Sequence, residues 1–144
     1  MARIKIELPK HFPFTTEIPL RVTDLNYGAH VGNDTIVSIL HEARVQYLHS
    51  HGYDEFRIGG LGLIMSDLVV EYKQELFYGD LILAHVVAGE FSKVRFELLY
   101  KLERKAAGKP MALVATARTG MVCYDYAAKK TASIPEQVRA ELSA

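Results

Sequence analysis

The sequence predicts an α+β fold in which an antiparallel sheet of about five strands wraps around one long helix. One long stretch repeats apolar residues with the period of an amphipathic helix. Five shorter stretches have the alternation or composition of strands, one before the helix and four after it. Short turns join the last four, which favours an antiparallel meander of consecutive strands.

The N-terminal half contains the first strand and the helix. The strand covers about Glu17–Thr23. Its inward side chains are predicted to be Ile18, Leu20 and Val22. The helix runs from about Asn33 to Ser50, where Asn33 or Asp34 can cap the start and Gly52 follows the end. Its apolar positions are Ile36, Val37, Leu40, Ala43, Tyr47 and Leu48, with Ile39 and Val45 beside them. This broad apolar surface predicts a well-buried helix.

The C-terminal half carries the other four strands and a short helix. The strands are predicted at about Leu63–Lys73, Leu81–Ala88, Val94–Leu102 and Met111–Tyr126. Inward positions of the first of these are Ile64, Leu68, Val70 and Tyr72. In the third, every second residue from Val94 is apolar, and Lys93, Arg95, Glu97 and Lys101 lie on the other face. Pro135 fits the first turn of a helix that ends at Leu142.

Composition restricts the class of protein. The 144 residues are 49% hydrophobic, which predicts a single globular domain over residues 1–144. Seventeen Lys and Arg residues balance 17 Asp and Glu residues, so we expect no nucleic-acid partner. No apolar run reaches the ~20 residues of a membrane span, and Met1–Pro13 has no signal-peptide core. We therefore expect a cytoplasmic protein without a membrane partner. The single Cys123 is predicted to be a reduced packing residue.

The turn Asp24–Asp34 concentrates the polar chemistry of the chain. It brings two carboxylates, two amides and an imidazole to the N-terminus of the predicted helix. Free backbone N–H groups at such a terminus can hold an oxyanion or a phosphate. An acid or base beside these donors indicates an acyl-transfer site.

These residues resemble the hotdog-fold acyl-CoA thioesterases, and most closely the 4-hydroxybenzoyl-CoA thioesterase-like branch. The motif reads Asp24-Leu25-Asn26, His30-Val31-Gly32-Asn33 and Glu42-Ala43-Arg44, and a second similar patch reads Leu68-Val69-Val70-Glu71-Tyr72 and Phe77-Tyr78-Gly79-Asp80. The resemblance covers about Pro19 to Tyr124. It implies a hotdog fold, hydrolysis of an acyl-CoA or acyl-carrier thioester without a cofactor, and a homodimer or homotetramer with active sites between subunits.

One position departs from the pattern of this branch. Most catalytic members carry an acid where this chain has Asn26, and an amide neither accepts a proton at neutral pH nor attacks a thioester. The predicted catalytic residues are therefore Asp24, His30 or Glu42 as base, with Asn26 positioning the water. Each of these side chains also has a purely structural interpretation, as a turn acceptor, a hydrogen-bonding bracket or an ion-pair partner.

The predicted substrate-binding residues fall into two groups. Tyr27, Gly32 and Asn33 lie at the start of the helix, where a backbone N–H from residues 30–33 can polarise the thioester carbonyl. Asp67, Lys93 and Arg95 lie on strands, where the cations suit the phosphates of coenzyme A or of a phosphopantetheine carrier, or else form a solvated face. The spacing of His41, His49 and His51 does not fit a metal site, so we expect no metal.

Two other functions are open at this point. The segment His11-Phe12-Pro13-Phe14 is weakly similar to the His-containing segment of hotdog dehydratases of 3-hydroxyacyl carriers. The amide at Asn26 is also compatible with a non-catalytic protein that binds acyl thioesters. Turnover distinguishes the three: thiol release, a change in C=C absorbance, or stabilisation by ligand alone.

Overall fold

The computed structural model describes residues 4–143 and contains one antiparallel sheet with a long helix packed against it. The elements are β1 Phe14–Pro19, α1 Asn33–Ser50, β2 Gly62–Tyr72, β3 Leu81–Gly89, β4 Arg95–Lys105, β5 Ala112–Asp125, β6 Lys130–Thr131 and α2 Glu136–Leu142. Residues 1–3 and 144, which the sequence analysis includes in the single domain, lie outside the described part. No helix between residues 4 and 143 is long and apolar enough to cross a membrane.

The sheet confirms the predicted fold class but not the predicted strand order. Five strands run in the order β1-β3-β4-β5-β2, and the two-residue β6 pairs with β5 as a sixth strand. All pairings are antiparallel. A meander is present only from β3 to β5, so the prediction of consecutive pairing throughout was wrong. The chain crosses the sheet through α1, and β1 and β2 therefore lie at opposite edges.

Helix α1 has the bounds that the sequence predicts, and it forms the centre of the core. Its buried residues are Ile36, Ile39, Leu40, Ala43, Arg44, Tyr47 and Leu48. The apolar residues among them pack with the inner-face residues of the sheet, such as Phe96, Leu98 and Tyr100, in one cluster. Full burial of a large apolar side chain contributes about 1.5–3 kcal/mol, so this layer supplies much of the stability. Cys123 is a free, buried thiol, and burial raises its pKa to about 11.

The first strand lies earlier in the chain than the sequence predicts. It ends at Pro19, and a 3₁₀ turn follows at Val22–Asp24. Ile18 is buried as predicted, but Val22 is 70% exposed, so its inward prediction was wrong. The Asp24 carboxylate accepts the backbone N–H of Arg21 at 2.8 Å, and such local side-chain bonds compete with strand formation.

A β-bulge changes the alternation of β2. The register against β5 shifts between Met65 and Asp67, which inserts one extra residue into β2. Leu68 keeps its predicted place on the inner face, opposite the buried Thr119. Ile64 lies on the outer face and is 36% exposed, contrary to prediction, because it precedes the bulge.

Candidate functional site

Backbone hydrogen bonds hold the polar turn before α1 together and join it to the segment that follows β2. The Asn26 N–H donates to the His30 carbonyl at 2.9 Å, and the Ala29 N–H donates to the Asn26 carbonyl at 3.1 Å. The Val31 N–H reaches the Leu76 carbonyl at 2.9 Å, and His30 pairs with Phe77. The turn residues and the segment after β2 therefore form one site, although they are far apart in the sequence.

The first turn of α1 directs N–H donors at this site. Its N-cap residue is Gly32, which supplies no side-chain hydrogen bond to the helix. Asn33 Oδ1 accepts the Asp34 N–H at 2.9 Å. The first N–H groups of a helix have no intrahelical acceptor, and the positive end of the helix dipole lies here. The arrangement can stabilise an oxyanion.

A pocket of about 290 Å³ opens beside this helix start. It is lined by His30, Val31, Asn33, Ile36, Tyr72, Lys73, Gln74, Glu75 and Leu76, and we call it the first pocket. The Tyr72 hydroxyl donates to the Asn33 carbonyl at 2.9 Å. This hydrogen bond connects the end of β2, on one side of the pocket, to the start of α1 on the other. Burial and, after it, the Asp34 carboxylate raise the pKa of Tyr72 above its usual value of 10.0. The apolar wall and the helix terminus suit an acyl group with a reactive carbonyl.

The Asn26 side chain lies between two glycines of the turn. Its Oδ1 accepts the Gly28 N–H at 2.8 Å, which fixes the orientation of the amide. The position that a Cβ of Gly32 would occupy is 3.5 Å from Asn26 Nδ2 and 2.7 Å from Asp34 Oδ1. The bare glycine therefore leaves a small polar space between an amide donor and a carboxylate acceptor.

The imidazole of His30 is held between Phe77 and the turn. Its ring meets the Phe77 ring edge-on, with centroids 6.4 Å apart. Nε2 lies 3.2 Å from the position that a Cβ of Gly28 would occupy. Nδ1 is buried and has no hydrogen-bond partner within residues 4–143.

The structure places the predicted bases Asp24 and Glu42 elsewhere. Both line a second pocket of about 270 Å³ beside β1, which shares no lining residue with the first pocket. The Asp24 carboxylate accepts the Arg21 N–H at 2.8 Å and lies 3.3 Å from the Arg21 guanidinium. Glu42 Oε2 accepts the side-chain amide of Gln46 at 2.7 Å. Of the three predicted bases, only His30 shares the first pocket with Asn33.

Of the predicted substrate-binding residues Asp67, Lys93 and Arg95, Asp67 and Arg95 lie on the outer face of the sheet, opposite α1. Lys93 lies in the loop before β4, so its predicted place on a strand was wrong. Arg95 Nη2 lies 3.0 Å from Asp67 Oδ2, and this hydrogen bond is the main cause that raises the pKa of Arg95. Lys101 lies 4.0 Å from Glu103. A phosphate group would have to compete with these carboxylates. A role of Lys93 and Arg95 in binding coenzyme A stays a prediction, as does that of the fully exposed Tyr27.

Sequence reasoning missed two parts of the site. It counted Asp34 among the polar groups of the turn and as a helix cap but did not name it as a candidate catalytic residue, although an acid directly after the His30–Asn33 motif was a usable signal. It treated the chain after Tyr72 as a structural turn, because the pairing of Val31 with Leu76 depends on the path of the whole chain. Residues 73–76, which follow β2, line the first pocket.

The sequence profile of the thioesterase-like superfamily matches residues 20–142. The chain belongs to this superfamily. The match includes the turn, α1 and both walls of the first pocket. No curated protein is significantly similar to the chain.

Solved structures with a similar fold include proteins that are named as thioesterases. A 1,4-dihydroxy-2-naphthoyl-CoA thioesterase from Synechocystis is 22% identical, with a TM-score of 0.78 over 90% of this chain and 94% of that one. A 4-hydroxybenzoyl-CoA thioesterase from Pseudomonas sp. strain CBS-3 is 16% identical, with a TM-score of 0.79 over 88% and 96%. A hypothetical protein from Aquifex aeolicus is 26% identical, with a TM-score of 0.79 over 90% and 99%. These likenesses show that the fold is that of hotdog thioesterases.

Proposed function

We propose that this protein hydrolyses acyl-CoA thioesters to the free acid and coenzyme A at the start of α1. The observation that carries the proposal is the first pocket, in which free helix N–H donors meet an apolar wall and a polar turn. Membership of the thioesterase-like superfamily supports the reaction class. The thioesterases of similar fold act on CoA esters of aromatic acids, which makes such esters natural test substrates.

The proposed chemistry follows from the placement of these groups. The thioester carbonyl oxygen points at the N-terminus of α1, where the N–H groups of the first turn stabilise the oxyanion. Removing one such donor typically costs 10²–10³ in rate. Val31, Ile36 and Leu76 contact the acyl group. Water enters from the side of Asn26 and attacks the carbonyl carbon, and the thiol leaves.

The proposal includes a homodimer formed through β2. This strand is an edge of the sheet and presents Ile64 and Met65 to solvent at 36% and 43% exposure. An edge strand with exposed apolar side chains is a template for pairing with another chain. The opposite edge, β1, is shorter and carries Glu17 and Pro19, which disfavour pairing. Light scattering should give twice the chain mass, and Met65→Lys should shift the protein toward the monomer.

The decisive experiment is thiol release from a panel of acyl-CoAs with short, long and aromatic acyl groups. We expect hydrolysis of at least one substrate by the wild type and at least a tenfold lower rate in His30→Ala. His49→Ala is the matched control, because His49 is exposed near the end of α1. Absence of thiol release across the panel would refute the proposal. A ligand-induced rise in melting temperature without turnover would then indicate thioester binding, and a change in C=C absorbance with 3-hydroxyacyl-CoA would indicate a dehydratase.

A further inference from the structure

Asn26 and Asp34 face each other across the bare α-carbon of Gly32. Asp34 Oδ1 and Asn26 Nδ2 lie 2.7 and 3.5 Å from the point where a Cβ of Gly32 would be. The Gly28 N–H occupies Asn26 Oδ1, so the donor end of the amide faces this point. An amide N–H donates to water, and a carboxylate accepts from it. The pair is therefore suited to hold one water molecule in a defined orientation.

His30 is poorly suited to take the proton from that water. A histidine base becomes an imidazolium with N–H on both nitrogens. Nδ1 of His30 is buried without an acceptor anywhere in the described residues 4–143. A buried charged group with an unpaired donor is unfavourable, and the usual imidazole base has an orienting partner on its second nitrogen. Within the described residues, His30 therefore lacks the orienting partner of an imidazole base, and its ring shapes the site.

The Asp34 carboxylate is accessible to water at the start of α1. It is exposed, and it lies in the first turn of the helix. Asp34 directly follows Asn33, which lines the first pocket and whose carbonyl accepts the Tyr72 hydroxyl at 2.9 Å. The carboxylate therefore lies in the same helix turn as the N–H donors and next in the chain to a residue of the acyl-binding wall.

We propose that Asp34 is the general base of the hydrolysis, with Asn26 orienting the attacking water. This inference rests on the proposed function. Asp34 accepts one proton of the water as the water oxygen bonds to the carbonyl carbon, and the helix N–H groups bind the oxyanion. The oxyanion then reforms the carbonyl, and the C–S bond breaks with its electron pair on sulfur. The proton on Asp34 passes to that sulfur, so water and thioester give one carboxylic acid and one thiol.

The test compares Asp34→Asn with the wild type on the panel acyl-CoA that the wild type hydrolyses fastest. General-base catalysis contributes about 10²–10⁴ in rate. We expect kcat to fall at least 100-fold with KM within threefold, because the isosteric amide preserves shape but cannot accept the proton. Glu136→Gln, at the exposed first turn of α2, is the matched control and should keep wild-type kcat. The double variant Asp34→Asn, Asn26→Asp places a carboxylate on the other side of the same point, and should recover at least tenfold of the lost rate.

Each alternative outcome has a separate meaning. If the wild type hydrolyses the substrate and Asp34→Asn keeps more than a third of its kcat, Asp34 is not the base and the proposed function stands. A loss accompanied by a raised KM, without recovery in the double variant, overturns the assignment in favour of substrate binding. If the wild type releases no thiol from any panel member, the proposed function fails and the base assignment fails with it.

Discussion

Gly32 allows a direct test of the space between Asn26 and Asp34. Gly32→Ala places a methyl group in the gap between Asn26 and Asp34, where it overlaps the water that we propose these two side chains hold. The backbone there has φ −74° and ψ 161°, which alanine adopts without strain. The new Cβ would lie 2.7 Å from Asp34 Oδ1. This atom ends an exposed side chain that can rotate away, so the clash does not require a backbone shift.

The expected change in stability is small. Alanine at an N-cap is less favourable than glycine by about 1 kcal/mol. Alanine also lowers the conformational entropy of the unfolded chain, which stabilises the fold by about 0.4–1 kcal/mol. The two effects oppose each other, and the net change lies within about 1 kcal/mol. For a chain of this length the melting temperature should move by no more than about 4 °C.

The expected change in activity is large. A methyl group at this point excludes the water and pushes the Asp34 carboxylate away. We expect kcat/KM for thiol release to fall about 10²-fold, the lower end of a general-base contribution. Gly89→Ala is the matched control, because its Cβ would meet no atom within 4 Å and its φ is not positive.

Thermal unfolding by circular dichroism and thiol release are measured on the same preparations. If Gly32→Ala melts with the wild type and retains more than a third of its activity, water is not activated at this point. If Gly89→Ala loses as much activity as Gly32→Ala, the effect is not specific to the turn, and the reasoning is refuted equally.

Three other substitutions test separate parts of the structure. Glu42→Gln should keep thiol release within threefold of the wild type, because Glu42 lines the second pocket; a 100-fold loss would move the active site there. Tyr100→Phe should lower the free energy of unfolding by about 1–3 kcal/mol in urea titrations, because the buried hydroxyl bonds Arg44 at 3.2 Å and Thr119 at 2.8 Å. Ionised Glu71 accepts a backbone N–H, which lowers its pKa below 4.5. It thus stabilises the fold above that pH and loses the effect as pH falls. The free energy of unfolding of Glu71→Gln, measured at acidic pH, should therefore vary less with pH than that of the wild type.

The sequence predicted the helix better than the strands for a physical reason. The bounds of α1 follow from local features: apolar residues with a helical period from Ile36 to Leu48, and a glycine after the end. The inward face of β2 depends on a bulge that forms only against β5. Pairing of β1 with β3 depends on the crossover through α1, so consecutive pairing was the wrong expectation.

The candidate site could be predicted where its residues are close in sequence. The turn from Asp24 to Asp34 was identified because polar groups and glycines are dense there, and the structure brings Asn26, His30 and Asn33 together. It could not be predicted that Glu42 would lie on the other side of α1, since a helix position gives a direction only once its packing is known. The pairing of the turn with the chain after β2 could not be predicted from the sequence either.

The motif has no acid at position 26, but in the structure a carboxylate from another position lies close to Asn26. A motif orders residues by their spacing, whereas activation of water requires only that an acceptor and a donor face the same point. Asn26 and Asp34 are separated in the chain by seven residues, yet both lie close to the α-carbon of Gly32. The amide keeps the donor on one side, and the first turn of α1 supplies the carboxylate on the other. An asparagine at position 26 is therefore compatible with hydrolysis, provided that Asp34 keeps its charge and Gly32 keeps the space open.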